Sequence, residues 1–273
     1  MKIRNSRLCK CSLLSAGLVL VIAASLLAGA EASMVPVGRT DIRGGKIKPF
    51  KATWYQRTRA SADAEWNEIG TITESVREGK EGGRSVLIRE QITENKQRGI
   101  KTVSTVVFDA RNLLPLRWSF ERTGENLPDR APVKGGVEYD GTKVKGEIAT
   151  ASGQKVPIEA ESSVPMYDAG VLGLIIASLP LKEGYEIELP ALFQGRQKYM
   201  IRARVVGRKE FKTGSGAMVN SWAVKTDWKG LDSNDPYPDD ESGGTFYVVP
   251  DPPGGFPMVP KYINPNFDTQ VIP

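Results

Sequence analysis

The chain has 273 residues, with 37 Lys or Arg, 32 Asp or Glu, two Cys and no His. Both cysteines, Cys9 and Cys11, lie within residues 1–30, so the rest of the chain has neither thiol nor imidazole. This composition excludes Ser-His-Asp and Cys-His catalysis and the usual zinc sites from residues 31–273. We therefore expect a protein that is not an enzyme and that needs no cofactor.

Residues 1–30 have the organisation of a secretory signal peptide. Basic residues come first, an apolar segment extends from about Leu13 to Leu27, and small residues follow in two A-x-A patterns. We predict cleavage before Glu31 or Ser33, a periplasmic or secreted mature protein, and no stable membrane anchor after cleavage. The alternative is an uncleaved anchor, because the apolar segment is close to the length that spans a bilayer.

The positive charge of the chain belongs mostly to this leader. The formal net charge is +5, and residues 1–30 contain four basic and no acidic side chains. The mature part is therefore close to neutral, which gives it no general electrostatic attraction to nucleic acid. We predict that nucleic acid is not a partner.

Residues 51–263 predict a single, mainly β domain of about a dozen strands. Leu116, Trp118 and Phe120 alternate with polar residues, as in a strand with one buried face, and Asp140-Gly141 is a strong hairpin signal. Short turns favour antiparallel pairing, and a sheet of this many strands must curl or close. We expect a large curved antiparallel sheet, or open β-barrel, with an exposed lead-in at residues 31–50 and an extended tail at residues 264–273.

One apolar run, from Asp168 to Leu179, predicts a helix that the barrel wraps around. Asp168 is a suitable N-cap, and Pro180 ends the run. Large aliphatic residues occupy one broad face of this helix, while Gly173 and Ala177 form a narrow opposite face that a ligand or backbone can approach closely. Because no charge follows Asp168, we expect the helix to be buried on nearly every side.

A cavity beside this helix is the candidate ligand site. Its predicted lining combines four helix residues with two tryptophans of the sheet: Gly173, Ala177, Leu172, Ile176, Trp118 and Trp222. The expected partner is a lipid or the acyl chain of a lipoprotein. Two alternatives stay open: a structural or interaction protein with a fully packed core and an envelope protein as partner, and a carboxylate-based hydrolase of envelope saccharides.

The acidic loop at residues 232–241 is the best candidate for a metal site, because calcium is bound by several oxygen ligands. The candidate ligands are Asp232, Asp235 and Asp239. The loop lacks the spacing and the glycine of an EF-hand, so a solvated acidic loop without metal is the favoured interpretation.

Several short motifs follow one another in a characteristic order. They are a strand leading into D…L.P (residues 108–116), a hairpin (137–146), the Asp-led apolar segment that ends in LPL.EG (167–185), and segments 206–210, 222–224 and 245–249. Over about residues 50–263, this order resembles bacterial periplasmic domains of unknown function that are allied to the LolA/LolB-like lipoprotein carriers. The resemblance implies a curved antiparallel sheet around a central helix with an apolar cavity between them, and it assigns no individual binding residue.

Overall fold

The computed structural model describes residues 41–125, 127–213, 216–238, 243–252 and 256–272. These residues contain fifteen strands in one sheet, one α-helix and two 3-10 helices. No helix among them is both long and apolar enough to cross a bilayer. The mainly β fold with a large curved sheet and one helix is therefore confirmed, while the predicted signal peptide lies outside the described residues.

The elements follow in chain order. The strands are β1 (Phe50–Thr58), β2 (Asn67–Glu81), β3 (Arg84–Asn95), β4 (Ile100–Asp109), β5 (Pro115–Thr123), β6 (Pro132–Asp140), β7 (Lys143–Thr150), β8 (Lys155–Glu161), β9 (Tyr167–Asp168), β10 (Glu186–Phe193), β11 (Gln197–Lys212), β12 (Met218–Gly230), β13 (Thr245–Val248), β14 (Lys261–Ile263) and β15 (Phe267–Ile272). The helix α1 is Leu172–Ser178, and the 3-10 helices are Gly44–Lys46 and Ala169–Val171.

The sheet consists of two meanders that are joined by the first and last strands. Its order is β8-β7-β6-β5-β4-β3-β2-β1-β15-β14-β13-β12-β11-β10-β9. The pairing is antiparallel except between β9 and β10, which run parallel. The strand β1 pairs with β2 on one side and with β15 on the other, so the ends of the domain meet in the middle of the sheet.

The extended tail predicted at residues 264–273 is wrong, because most of this segment is the strand β15. Thr53 to Thr58 of β1 pair with Ile272 to Phe267 of β15, and β15 also pairs with β14. Val271 is 2% exposed and packs in the core. Pairing with β1 and β14 and the burial of Val271 therefore hold this segment inside the sheet.

The exposed lead-in predicted at residues 31–50 is also wrong for its described part, residues 41–50. Ile42 and Ile47 belong to the core, where each is 4% exposed. Between them, Gly44 lies so close to the backbone that an added Cβ would be 2.2 Å from the carbonyl oxygen of Ala110. The segment packs here because it alternates core-forming isoleucines with a glycine that permits this approach.

The predicted central helix is shorter than the run from Asp168 to Leu179. Asp168 does act as a cap, but its Oδ1 accepts a 2.7 Å hydrogen bond from the Gly170 amide of the 3-10 turn that precedes α1. Leu179 is extended (ψ 160°), as expected before Pro180. The intrinsic helicity of this run is weak, because it contains Gly and β-branched residues. Burial stabilises the helix instead, since Ile175 and Ile176 are both 0% exposed.

Side-chain packing brings the two ends of the sheet together. In the described residues β8 and β9 are not neighbours in the sheet, yet Tyr139 of β6 donates a 2.7 Å hydrogen bond to Asp168 of β9. Gly195, in the turn after β10, has φ +70°, and a Cβ there would lie 3.1 Å from Val137 and 3.2 Å from Ile158. A second apolar cluster fills this seam, so the sheet is curved and open but its edges are in side-chain contact.

The D…L.P motif forms a tight turn between β4 and β5. The side chain of Asp109 accepts a 2.8 Å hydrogen bond from the Arg111 amide, and that of Asn112 accepts a 3.1 Å bond from the Leu114 amide. Leu113 has a left-handed φ of 58° and is 0% exposed. These side-chain bonds and the burial of Leu113 stabilise a backbone conformation that leucine rarely adopts.

Candidate functional site

Among the residues that the structure describes, the six predicted cavity residues do not line one common cavity. Gly173 faces a cleft of about 190 Å³ beside α1, where an added Cβ would be 3.6 Å from Phe246 and 3.7 Å from Val259. Ala177 lines a different opening of about 450 Å³, together with Lys46 and Lys182. The two small residues that sequence periodicity places on one face therefore face two separate spaces. We call the space beside Gly173 the helix cleft.

The other four predicted residues have three different environments. Leu172 and Ile176 are core residues, 3% and 0% exposed. Trp222 is half-buried, and the guanidinium carbon of Arg208 lies 4.0 Å from its ring centroid. Trp118 lines a wider pocket of about 490 Å³ that contains neither Gly173 nor Ala177.

The candidate metal ligands are engaged by other groups where the structure describes them. Asp232 forms a 2.8 Å ion pair with Lys198, and Asp235 accepts a 2.8 Å hydrogen bond from Ser233. Asp239 lies outside the described residues. Within the described ranges, no three His, Cys, Asp or Glu side chains are grouped so that they could hold a metal ion.

The wider pocket lies on the inner face of the sheet, near the seam. We call it the arginine pocket, because three arginines and three aromatic residues characterise its lining: Arg89, Arg122, Arg196, Trp118, Phe120 and Phe193. Its volume is within the range of small-molecule sites, about 300–1,000 Å³. The helix cleft adjoins it, since Arg89, Gln91 and Gly170 line both spaces.

The strand register explains why polar residues meet here. Directly paired residues of neighbouring strands point to the same face, so side chains form rows across the sheet. One row contains Glu74, Gln91, Ser104 and Phe120. The adjacent row contains Thr93, Thr102 and Arg122. The inner face of β2–β5 therefore changes from apolar core to a polar and cationic surface along the strands.

Arg89 occupies the deepest part of the arginine pocket. Its side chain is 7% exposed and forms a 2.5 Å ion pair with Glu74, which also accepts a 3.2 Å hydrogen bond from Gln91. The buried Nε of Arg89 has no hydrogen-bond partner among the described residues. The ion pair neutralises the charge at this end of the pocket, while one donor stays unused.

Asp168 borders the same deep end, next to Arg89. It is 3% exposed, and its two carboxyl oxygens accept 2.7 Å hydrogen bonds from the Gly170 amide and the Tyr139 hydroxyl. Burial raises the pKa of the Asp168 carboxyl, although these hydrogen bonds and the charge of Arg89 oppose the shift. Burial and the neighbouring Asp168 also raise the pKa of Tyr139, so the phenol stays protonated and donates.

Arg122 and Arg196 lie toward the open part of the pocket. Arg122 is half-buried, its Nε donates a 3.2 Å hydrogen bond to the Thr102 hydroxyl, and its guanidinium carbon lies 5.9 Å from the Phe120 ring centroid. Arg196 is exposed. Neither guanidinium has a carboxylate within 4.0 Å in the described part of the chain. Beside them, Trp118 and Phe120 are stacked at 5.0 Å.

Sequence reasoning missed Arg89 and Arg122, although their strands contained the signal. Arg122 continues the alternation of Trp118 and Phe120, and Arg89 has the same parity as Leu87, a core residue. Strand parity alone therefore places both arginines on the inner face. Their charge hides this signal, because charged residues ordinarily lie on the solvent side of a strand.

The chain was compared with curated proteins, solved structures and protein families. No curated protein matches the sequence significantly. A crystal structure titled as a beta-barrel-like protein of domain of unknown function DUF1849, from Brucella abortus, is similar at a TM-score of 0.49 and 9% sequence identity, covering 82% of this chain and 95% of that chain. The family DUF3108, described as a protein of unknown function, matches residues 50–268. The chain therefore belongs to the DUF3108 family.

Proposed function

We propose that the protein is a non-enzymatic, exported binding protein of the cell envelope that holds an amphiphile with an acyl chain in the arginine pocket. The observation that carries the proposal is the lining of this pocket of about 490 Å³, where a stacked aromatic pair lies beside cationic side chains on the inner face of the sheet. Ligand sites commonly combine such apolar walls with a few polar groups that orient the ligand.

The neighbouring helix cleft supports an elongated ligand. It is lined largely by aromatic and aliphatic side chains, including Phe50, Trp54 and Phe246, and it adjoins the arginine pocket at Arg89 and Gln91. The leader sequence and the resemblance to LolA/LolB-like carriers support the envelope location and the acyl chain as ligand. The structural or interaction role stays as the alternative, in which these spaces contain only water.

Binding is favoured over carboxylate-based hydrolysis by the contacts of the two acidic residues near the pocket. Both oxygens of Asp168 already accept hydrogen bonds from protein groups. Glu74 accepts from Arg89 and Gln91. These contacts give both carboxylates a role in fixing the architecture of the pocket, which supports binding over hydrolysis.

A pair of tryptophan substitutions tests the location of the site. Ser104 faces the pocket from β4, so Ser104→Trp should fill it and lower the affinity for the neutral fluorescent probe N-phenyl-1-naphthylamine by about tenfold or more, roughly 1.4 kcal/mol. Ser119→Trp adds the same ring to the outer face of the neighbouring strand, where Ser119 is exposed, and should leave binding unchanged. A wild-type protein that does not bind the probe would contradict the proposal, as would equal affinities in both variants.

A further inference from the structure

We propose, as an extension of the binding function above, that the arginine pocket selects single-chain amphiphiles with an anionic head, either a carboxylate or a phosphate monoester, and that Arg122 and Arg196 bind that head. The inference concerns the class of ligand and the orientation in which it lies. It rests on the distribution of charge between the two ends of the pocket.

The deep end is unsuitable for an anion. Arg89 is already paired with Glu74, and the Asp168 carboxyl lies on the same side of the pocket. An anionic head placed there would meet the neutral Arg89–Glu74 ion pair and the Asp168 carboxyl, so no unpaired positive charge would attract it. The head should therefore lie elsewhere.

The open end of the pocket is suited to an anion. Arg122 and Arg196 both line the pocket, and neither has a carboxylate partner within 4.0 Å among the described residues. The bond from Nε of Arg122 to Thr102 fixes the plane of the guanidinium and leaves its two terminal nitrogens available as donors. Such a preorganised fork matches the two oxygens of a carboxylate or phosphate, and charge-assisted bonds of this kind are among the strongest hydrogen bonds in proteins.

The apolar groups of the pocket define where the chain of the ligand lies. Trp118 and Phe120 are on the same strand as Arg122, at successive inward positions, and they form a stacked pair. An amphiphile with its head at Arg122 can therefore extend its chain along this pair toward the helix cleft. Arg122 itself lies against the Phe120 ring, so the cationic and apolar parts of the site are continuous.

Displacement of the neutral probe by ligands with the same twelve-carbon chain tests this selectivity. Laurate and dodecyl phosphate represent the two anionic heads, dodecanol has an uncharged head, and inorganic phosphate has no chain. We expect at least one anionic ligand to displace the probe from the wild-type protein at a concentration about tenfold or more below that of dodecanol. Comparison of laurate with dodecyl phosphate shows which head is preferred.

Two glutamine variants assign the preference to the pocket. Arg122→Gln should abolish the advantage of the anionic ligand over dodecanol when both ligands displace the neutral probe from this same variant. Arg117→Gln is the matched control, because Arg117 is on the same strand but on its exposed outer face, paired with Glu81. Arg117→Gln should retain the wild-type preference for the anionic ligand. An equal loss of this preference in both variants would show that it arises from general surface charge, and this result would overturn the proposal.

The remaining outcomes separate this inference from the proposed function. Equal displacement by dodecanol and the anionic ligands would overturn the anionic selectivity and leave apolar binding intact. Inorganic phosphate that competes as strongly as dodecyl phosphate would overturn the role of the chain. If the neutral probe does not bind, calorimetry with dodecyl phosphate tests the head site directly, and binding that is lost in Arg122→Gln supports that site even though the proposed function has failed.

Discussion

At the scale of single residues, Asp168 joins three features of the molecule: the cap before α1, the seam of the sheet and the deep end of the arginine pocket. Its burial raises the pKa of its carboxyl above the usual value, whereas an Asp carboxyl in an unfolded chain has a pKa of about 3.9. The folded protein therefore binds this proton more tightly than the unfolded chain does. The group contributes most to the free energy of unfolding when the pH is below the pKa of the unfolded chain. This contribution is lost as the pH rises from about 4 through the native pKa.

We predict that Asp168→Asn will remove this contribution to the pH dependence of the free energy of unfolding. The asparagine cannot ionise, yet its carbonyl oxygen can still accept the hydrogen bond from the Gly170 amide. Urea unfolding at a series of pH values should show the variant gaining stability relative to wild type as the pH increases above about 4. The control is Asp140→Asn in an exposed hairpin turn, and parallel curves for wild type and Asp168→Asn would contradict the prediction.

A second prediction at this scale concerns the effect of Gly173 on stability. An added Cβ would meet Phe246 and Val259 at ordinary contact distances of 3.6 and 3.7 Å, so Gly173→Ala should raise the free energy of unfolding by about 0.5–1 kcal/mol through lower backbone entropy in the unfolded chain. Gly146→Ala is the matched contrast, because its Cβ would lie 2.0 Å from the Gly136 carbonyl oxygen. We expect that variant to lose about 1–3 kcal/mol, and thermal unfolding distinguishes the two signs.

At the scale of elements, α1 is stabilised by its surroundings. This helix contains seven residues, and its large side chains are almost wholly buried. A helix this short is not stable alone in water. The sequence therefore supplies the apolar run and its cap, while the sheet determines that the run folds as a 3-10 turn followed by two α-helical turns.

We predict that Ile175→Asp will prevent stable folding. Ile175 is 0% exposed, and an unpaired carboxylate there should cost several kcal/mol, a large share of the roughly 5–15 kcal/mol that stabilises a typical domain. Val206→Asp is the control, since Val206 is 50% exposed and its substitution should change stability by about 0.5 kcal/mol or less. Equal melting temperatures for wild type and Ile175→Asp would show that α1 is not part of the core.

The elements also show which parts of the fold a single sequence can reveal. Trp118 and Phe120 alternate with polar residues, so their strand could be predicted. In β15 the same alternation of Phe267, Thr269 and Val271 is only six residues long, and it follows a proline-rich segment that favours an irregular extended chain. Local pattern does not show which partners a strand meets, and β15 is a strand because β1 and β14 both pair with it.

The candidate site was less predictable than the fold for a related reason. Trp118 was identified, but the helix periodicity that grouped Gly173 with Ala177 says nothing about the surfaces opposite each residue. One faces Phe246 and the other lies near Pro180 and Lys182. The arginine pocket depends on the register between strands and on the closeness of the two ends of the sheet, and neither is encoded in a local window.

At the scale of the whole molecule, β15 connects the two meanders of the sheet. We predict that a chain ending after Pro265 will lack a cooperative unfolding transition, because β1 and β14 would both lose a neighbour and the core around Trp54 would be uncovered. A chain ending after Val271 is the control, since it loses only the pairing of Ile272 with Thr53 at the end of the ladder. Near-ultraviolet circular dichroism during urea titration tests both, and a cooperative transition in the shorter chain would contradict the prediction.

The pairing of β1 with β15 also sets the order in which the protein can mature during synthesis. Arg57 and Asp268 are 211 residues apart in the chain, yet they form an ion pair across these two strands. The meander β1–β8 is synthesised first. One edge of β1 stays unpaired until nearly all of the domain has been translated, because its partner is β15. Non-local contacts of this kind form slowly, and an unpaired edge is open to other strands in the meantime. Until β15 is available for pairing, that edge of β1 is therefore open to non-native strand pairing.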